Sequence, residues 1–376
     1  MNRTYIIAEI GTSHGGDLEK AYQLIDAAVF AGADCVKFQW VYADEILHPD
    51  TGMVELPTGS VRLYDRFLSL EVPVSFFEKV CDYARSKGVA FACTPFGIRS
   101  LRQLWELRPD AIKIASPELN HFPMLEELLR LESECDEKSR IPVILSSGVS
   151  KLKDIDKTLK LLKPLQCDDF AEAPLPAISL LHCVTSYPAP ETDYNLAVLN
   201  FLREHFSIDV GVSDHSLDPV LVPTITAAAG GKIIEKHITL SRETDGLDDP
   251  VALTPEDFAL MVQKVHKIDL LEPQERLVYL TKEFGCEKVN AILGDGQKKL
   301  AASEKANYER TNRSIHYLKA LKAGTMIQEK DIAVLRTEKV LTPGISPEFF
   351  KQIPGRRLKV DVSAGAGLLW EDLTEV

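Results

Sequence analysis

The sequence holds no CxxC pair. Its seven cysteines, at positions 35, 81, 93, 135, 167, 183 and 286, are scattered and odd in number. That pattern excludes a disulfide framework and a thiolate zinc knuckle, and reads as reduced thiols in a cytoplasmic protein. Long apolar runs are missing too. The opening stretch TYIIAEIG reaches Glu9 after a brief apolar run, too short for a signal h-region or a membrane span. Positive charge is in deficit: 43 Lys and Arg stand against 56 Asp and Glu, a net charge of −13. This argues against nucleic acid or an anionic membrane as a partner, while leaving room for a small anion in a local positive pocket. The expected location is the cytoplasm.

What is present is a repeat of strand and helix. The 376 residues are 45% hydrophobic and 26% charged, enough for one large soluble domain and a small one. Short apolar runs bounded by turn residues recur at 4–11, 35–40, 89–96, 111–118, 142–148, 178–188, 209–216 and 232–240. Helical patterns lie between them, as at 18–33 and 73–88, each ending in small residues suited to a helix C-terminus. Nearly continuous apolar strands alternating with helices imply a parallel sheet covered on both faces. Eight such units predict an α/β fold, a TIM (β/α)8 barrel; a doubly wound open sheet is the rival. The spacing assigns the barrel to 1–285, a polar linker to 286–312, and a small β-rich module to 313–376. So small a module has little core of its own, so it is expected to dock on something.

The polar residues of these runs collect at one end. Glu9, Lys37 and Gln39, Thr94, Lys113 with Ser116 and Glu118, Ser146 and Ser147, Thr185 and Tyr187, Ser213 and His215, and Glu235 and His237 all fall at the C-terminal ends of the strands. Active sites of barrels gather there. Lys37 lies between Val36 and Phe38, and Lys113 between Ile112 and Ile114. A buried ammonium needs a partner or loses its proton. Three readings stay open: a salt bridge to Glu9 or Glu118, an anionic ligand, or a Schiff-base lysine. Two lysines ringed by hydroxyls suit a phosphate and a carboxylate. His215 and His237 end adjacent strands, about 5 Å apart, at matching depth. They suit a catalytic divalent metal with open positions, or acid–base work by one ring. His14 either lines the mouth or decorates a glycine-rich loop, and His182 reads as a core histidine.

The ordered set IIAEIGTSHGG, GADCVKFQ, TPF, KIASPELNHFPML, LSSGVSKL, LLHCVTSYPAP, GVSDHSLD and IIEKHITL resembles the sialic acid synthases (N-acetylneuraminate synthase and relatives). The segment 313–376, with NRSIHYLKALKAGTMI running into it and PGISPEFF, is similar to the antifreeze-like or SAF domain that such enzymes carry. The resemblance implies condensation of phosphoenolpyruvate with an N-acetylated hexose such as N-acetylmannosamine, releasing phosphate and forming a nonulosonic (sialic-type) acid. It implies His215 and His237 as ligands of Mn²⁺ or Mg²⁺. Lys37, Lys113, Thr94, Ser146 and Ser213 match phosphoenolpyruvate positions, and Glu9 and Glu118 match acids near the reacting carbons. Gln39, Tyr187, Asp248 and Arg336 match the sugar side, with Ser116, Ser147 and Thr185 among the substrate-binding hydroxyls. It also implies a domain-swapped homodimer in which the SAF domain of one subunit caps the barrel of the other.

The departures gather on the sugar side. Ser13 precedes His14 where the family has asparagine. Pro117 replaces a glycine, Thr185 or Ser186 takes the place before Tyr187, and DGLDD at 245–249 keeps only Gly246 and Asp248 of a loop. Extra residues separate Arg336 from Gly344. The acceptor is therefore expected to include sugars leading to legionaminic or pseudaminic acid. A non-catalytic sugar-binding barrel and an octulosonate-phosphate synthase relative are the other classes weighed. The second lacks a SAF domain, and the first is opposed by intact Glu9, Lys37, His215, His237 and Glu235.

Overall fold

The computed structural model describes residues 3–374 except 57–58, 136–139, 167–173, 245 and 339. Cys167 and Asp245, singled out above, lie outside the described residues. Eight parallel strands close a barrel in sequence order: β1 (Tyr5–Gly11), β2 (Cys35–Trp40), β3 (Ala90–Pro95), β4 (Ala111–Ile114), β5 (Val143–Ser146), β6 (Ile178–Cys183), β7 (Asp209–Asp214) and β8 (Ile233–His237). The expected helices run Leu18–Phe30, capped by the Asp17 carboxylate on the amides of Glu19 and Lys20, and Val74–Ser86. Gly32 and Gly88 follow them with positive φ, the conformation that ends a helix at low cost.

Alternation along each strand sorts the barrel interior into layers. The lowest holds Ile7, Cys35, Ala92, Ala111, Ile144, Leu181 and Ile233, packed as one cluster. Each large aliphatic there contributes roughly 1.5–3 kcal/mol. The layer is a plug, so a ligand reaches the interior from above. Two residues further along the strands come Glu9, Lys37, Thr94, Lys113, Ser146, Cys183, Ser213 and Glu235. The next layer holds Gly11, Gln39, Phe96, Ala115, Gly148, Thr185, His215 and His237. The sequence carries the switch from apolar to polar or ionisable within two residues along each strand.

The stretch expected as a weakly structured linker is folded onto the barrel. Cys286–Leu293 is a helix whose Val289 and Ile292 join the main core. Beyond it, the buried Glu304 accepts hydrogen bonds from the amides of Val149 and Thr185, both at 3.0 Å. This strap thus pins the chain across the mouth. The module that follows pairs β9 (Arg313–Tyr317) antiparallel with β10 (Ile332–Arg336) around its own small core of Ile315, Tyr317, Ile327, Val334 and Leu358. It docks, as its size requires, and in this single chain it covers its own barrel. Leu47 bridges to Arg336, and Lys157 pairs with Glu348 at 2.8 Å. Among the described residues no helix is long and apolar enough to cross a membrane.

Candidate active site

The cavity between strand ends and module has a volume of about 380 Å³. Its floor is an ion lattice. Glu9 is the register partner of both Lys37 on β2 and His237 on β8. Lys37 Nζ lies 2.8 Å from Glu9 Oε2, 3.7 Å from Glu235 Oε2, and donates to Thr94 Oγ1 at 3.3 Å. Lys113 Nζ donates to Ser146 Oγ at 2.7 Å and lies 3.8 Å from Glu235 Oε1, which also accepts from Ser213 Oγ at 2.9 Å. Glu235 is the bridge of this lattice. Burial pushes its carboxyl up, but Lys113 and Lys37 outweigh burial and hold it down at about 2. Burial also works against the charge of Lys37, yet Glu235 and Glu9 raise it above an ordinary lysine. Lys113 goes the other way: burial lowers it, and Glu235 offsets only part. The two lysines are not equivalent.

Above the floor, Gln39 Nε2 donates to Glu9 Oε1 at 2.7 Å. Both side chains fit because residue 11 is glycine. A Cβ there would stand 3.1 Å from Gln39 Nε2 and 3.2 Å from Glu9 Oε1, and its φ is +56°. His215 Nδ1 donates to the Val184 carbonyl at 2.9 Å, which leaves Nε2 with a lone pair in the neutral ring. The His237 ring centroid is 5.6 Å away, and its buried Nδ1 lacks a hydrogen-bond partner among the described residues, with Asp248 Oδ2 at 3.8 Å. Tyr187 stacks on His215 at 4.1 Å and meets His237 edge-on. A fixed tautomer and an orphaned buried nitrogen are what a divalent cation would require of this pair. Among the described residues no group of three or more His, Cys, Asp or Glu is arranged to hold a metal. The protein would therefore offer two imidazoles and leave the remaining positions to substrate or water.

Of the seventeen strand-end and sugar-side residues singled out by sequence, fifteen line this cavity; Glu118 and Ser147 do not. The reason lies in local geometry. β4 ends at Ile114, and Ser116–Glu118 form a turn of 3-10 helix, so the strand alternation stops. Ser116 faces inward, while Glu118 turns to the module and its Oε1 accepts from Arg313 and Arg336. Ser147 follows the inward Ser146 and points the opposite way, donating to the Leu181 carbonyl. His14 packs behind the wall against Phe76 and Phe38, and His182 bonds to the Tyr194 carbonyl as a core histidine. The sequence reading missed Asn307 and Thr311 of the strap, and Phe67, Leu70, Phe96 and Leu247, all lining residues. The Cys183 sulfur also faces the cavity, near His215.

A parallel barrel with an ion lattice at its strand ends, roofed by a small β-module, defines a class: barrels that carry their candidate site at the C-terminal ends of the strands. Residues 24–275 match the NeuB family and residues 312–374 the SAF domain. The chain belongs to the NeuB family. It is similar to the spore coat polysaccharide biosynthesis protein SpsE of Bacillus subtilis, at 33% identity over 372 residues, 98% of this chain and 93% of that one. The crystal structure of that protein superposes with a TM-score of 0.79, covering 100% of this chain and 96% of that one at 31% identity. The N,N'-diacetyllegionaminic acid synthase of Legionella pneumophila is 31% identical over 374 residues, covering 98% of this chain and 94% of the relative. The N-acetylneuraminic acid synthetase of Leptospira borgpetersenii, solved in complex with citrate, superposes with a TM-score of 0.60 at 28% identity, covering 82% of this chain and 90% of that one. The relatives whose names state an activity are nonulosonic acid synthases.

Proposed function

We propose that this chain condenses phosphoenolpyruvate with an N-acetylated hexose to give a nonulosonic acid and inorganic phosphate, a transferase reaction. The observation that carries the reading is the lattice of Lys37, Lys113, Glu9 and Glu235, set beside hydroxyls and two histidines in one cavity. Lys37, Lys113, Thr94, Ser146 and Ser213 hold the phosphate and carboxylate. Two ammoniums and two carboxylates cancel, so a multiply charged anion needs further positive charge. His215 and His237 would hold a divalent cation, Mn²⁺ or Mg²⁺, which when bound would supply that charge and Lewis acidity toward the sugar aldehyde.

The enol carbon then bonds to the aldehyde carbon, the C=O π pair moves to the aldehyde oxygen, which takes up a proton to become a hydroxyl, and positive charge develops at C2 of the enolpyruvyl group. Water adds there, with Glu9 stabilising the cation and taking the proton. The bond between C2 and the phosphate ester oxygen breaks, the C2 hydroxyl gives up its proton to become the ketone, and inorganic phosphate leaves. Gln39, Tyr187, Asp248, Thr185 and Arg336 face the sugar. Phosphate release from phosphoenolpyruvate with N-acetylmannosamine and Mn²⁺, with and without chelator, tests the reading. Sugar binding without turnover would favour the non-catalytic alternative.

A second reading of the acceptor rests on a specific feature. Directly above Thr94 and Lys113 come Phe96 and Ala115, and Phe67, Leu70 and Leu247 extend this face as one apolar cluster. Such a wall offers nothing to the hydroxyls of a fully hydroxylated hexose. It favours a 2,4-diacetamido sugar, leading to legionaminic or pseudaminic acid. If N-acetylmannosamine is by far the best of a panel of acceptors, this second reading fails. A homodimer with exchanged SAF domains belongs to the same proposal; it keeps the contacts described above and moves them between chains.

A further inference from the structure

Arg313 is a heavily engaged buried side chain outside the cavity. It is 2% exposed, and its guanidinium is absent from the cavity lining. Nε and Nη2 donate to Glu118 Oε1 at 3.1 and 2.9 Å. Nη2 also donates to the Phe96 carbonyl at 2.8 Å, and Nη1 to the carbonyls of Glu45 and Val334 at 2.5 and 3.2 Å. One side chain thus ties together the ends of three barrel units and the strand that carries Arg336. Arg336 is the register partner of Arg313 across the β9–β10 pair. It donates through Nε and Nη2 to the same Glu118 oxygen, at 3.1 and 2.8 Å, and it does line the cavity. Among the described residues Glu118 Oε2 has no hydrogen-bond partner.

Two guanidiniums therefore share one carboxylate oxygen. A lone Arg–carboxylate pair closes into a bidentate fork and neutralises both groups. Here Arg313 occupies part of that valence, and the trio keeps one net positive charge. We propose that Arg313 is a positioning residue: it holds Glu118 so that Arg336 stays over the cavity with charge to spare for a polar group of the acceptor sugar. This rests on the synthase reading above. Without Arg313, Glu118 and Arg336 pair fully, and the Arg336 guanidinium is drawn from the cavity and neutralised. The cost falls on the sugar, since phosphoenolpyruvate is held by the floor residues.

The test compares the full-length protein with Arg313→Met, Arg313→Lys, Arg336→Met and the double methionine variant in phosphate-release kinetics. KM values do not depend on the folded fraction, so a merely structural loss lowers kcat alone. The expected result is a rise in the acceptor KM of about tenfold or more for Arg313→Met, with the KM for phosphoenolpyruvate within twofold. Arg313→Lys falls between, and the double variant is no worse than Arg336→Met. An unchanged acceptor KM in Arg313→Met, or effects that multiply in the double variant, overturns the assignment. A wild-type protein that releases no phosphate with any N-acetylated hexose overturns the synthase reading itself, and the assignment falls with it.

Discussion

Replacing Glu235 with glutamine removes one charge from the centre of the ion lattice while keeping the shape of the side chain. The carboxylate lies 3.7 Å from Lys37 Nζ and 3.8 Å from Lys113 Nζ, and it is 4% exposed. Its pKa falls from 4.5 to about 2, which corresponds to roughly 3 kcal/mol in favour of the ionised form. That agrees with the roughly 3–5 kcal/mol lost when one partner of a buried pair is removed. In a domain of this size the loss lowers the melting temperature by roughly 5–10 °C. An added anion restores part of it, because phosphoenolpyruvate replaces the missing negative charge between the lysines. Thermal melting of wild type and Glu235→Gln, each with and without phosphoenolpyruvate, reads both effects. A variant that melts within a degree of wild type and gains no more from the anion would refute the lattice argument.

Three further outcomes follow from the same geometry. His14 and His316 are both pushed by burial from 6.5 down to about 4. Each therefore binds fewer protons folded than unfolded, so stability is complete above about pH 6.5 and declines toward pH 4, by up to roughly 3 kcal/mol per ring. Urea midpoints between pH 7 and pH 4.5 should fall, less steeply in His14→Phe; a flat profile contradicts the assignment. Gly11→Ala forces a β-carbon into the Glu9–Gln39 pair at a positive φ, at roughly 1–2 kcal/mol for the backbone alone. It should lose most phosphate release while staying folded by circular dichroism, and full activity would show that the pair is dispensable. Mixed dimers of His237→Ala and Arg336→Met should regain activity if SAF domains are exchanged, since one site then has both an intact barrel and an intact roof. No recovery after co-expression would place barrel and roof in one chain.

The barrel was legible because its strands are short apolar runs that change to polar or ionisable residues within two positions. Glu9, Lys37, Lys113, Glu235 and both histidines lie where that alternation carries them. Alternation fails where a strand gives way to a turn, which is why Glu118 faces the module and not the cavity. Glu118 meets Arg313 across 195 positions of sequence, and no local pattern encodes such a contact. The strap was read as a linker because its polarity resembles a loop. Its Glu304 is instead buried on the amides of Val149 and Thr185, and a single glutamate among polar neighbours carries no sign of that. The apolar wall escaped notice for the opposite reason: Phe67, Leu70 and Leu247 sit in connecting segments, where an apolar residue looks like ordinary packing.

The most direct measurement is phosphate release from phosphoenolpyruvate with N-acetylmannosamine and a 2,4-diacetamido sugar in the presence of Mn²⁺, alongside a chelator control and His237→Ala. Release that depends on metal and on His237 is the predicted result. Release that survives both the chelator and the substitution would contradict the metal role. No release from either sugar, with no binding of phosphoenolpyruvate, would contradict the central reading of the lattice as an anion site.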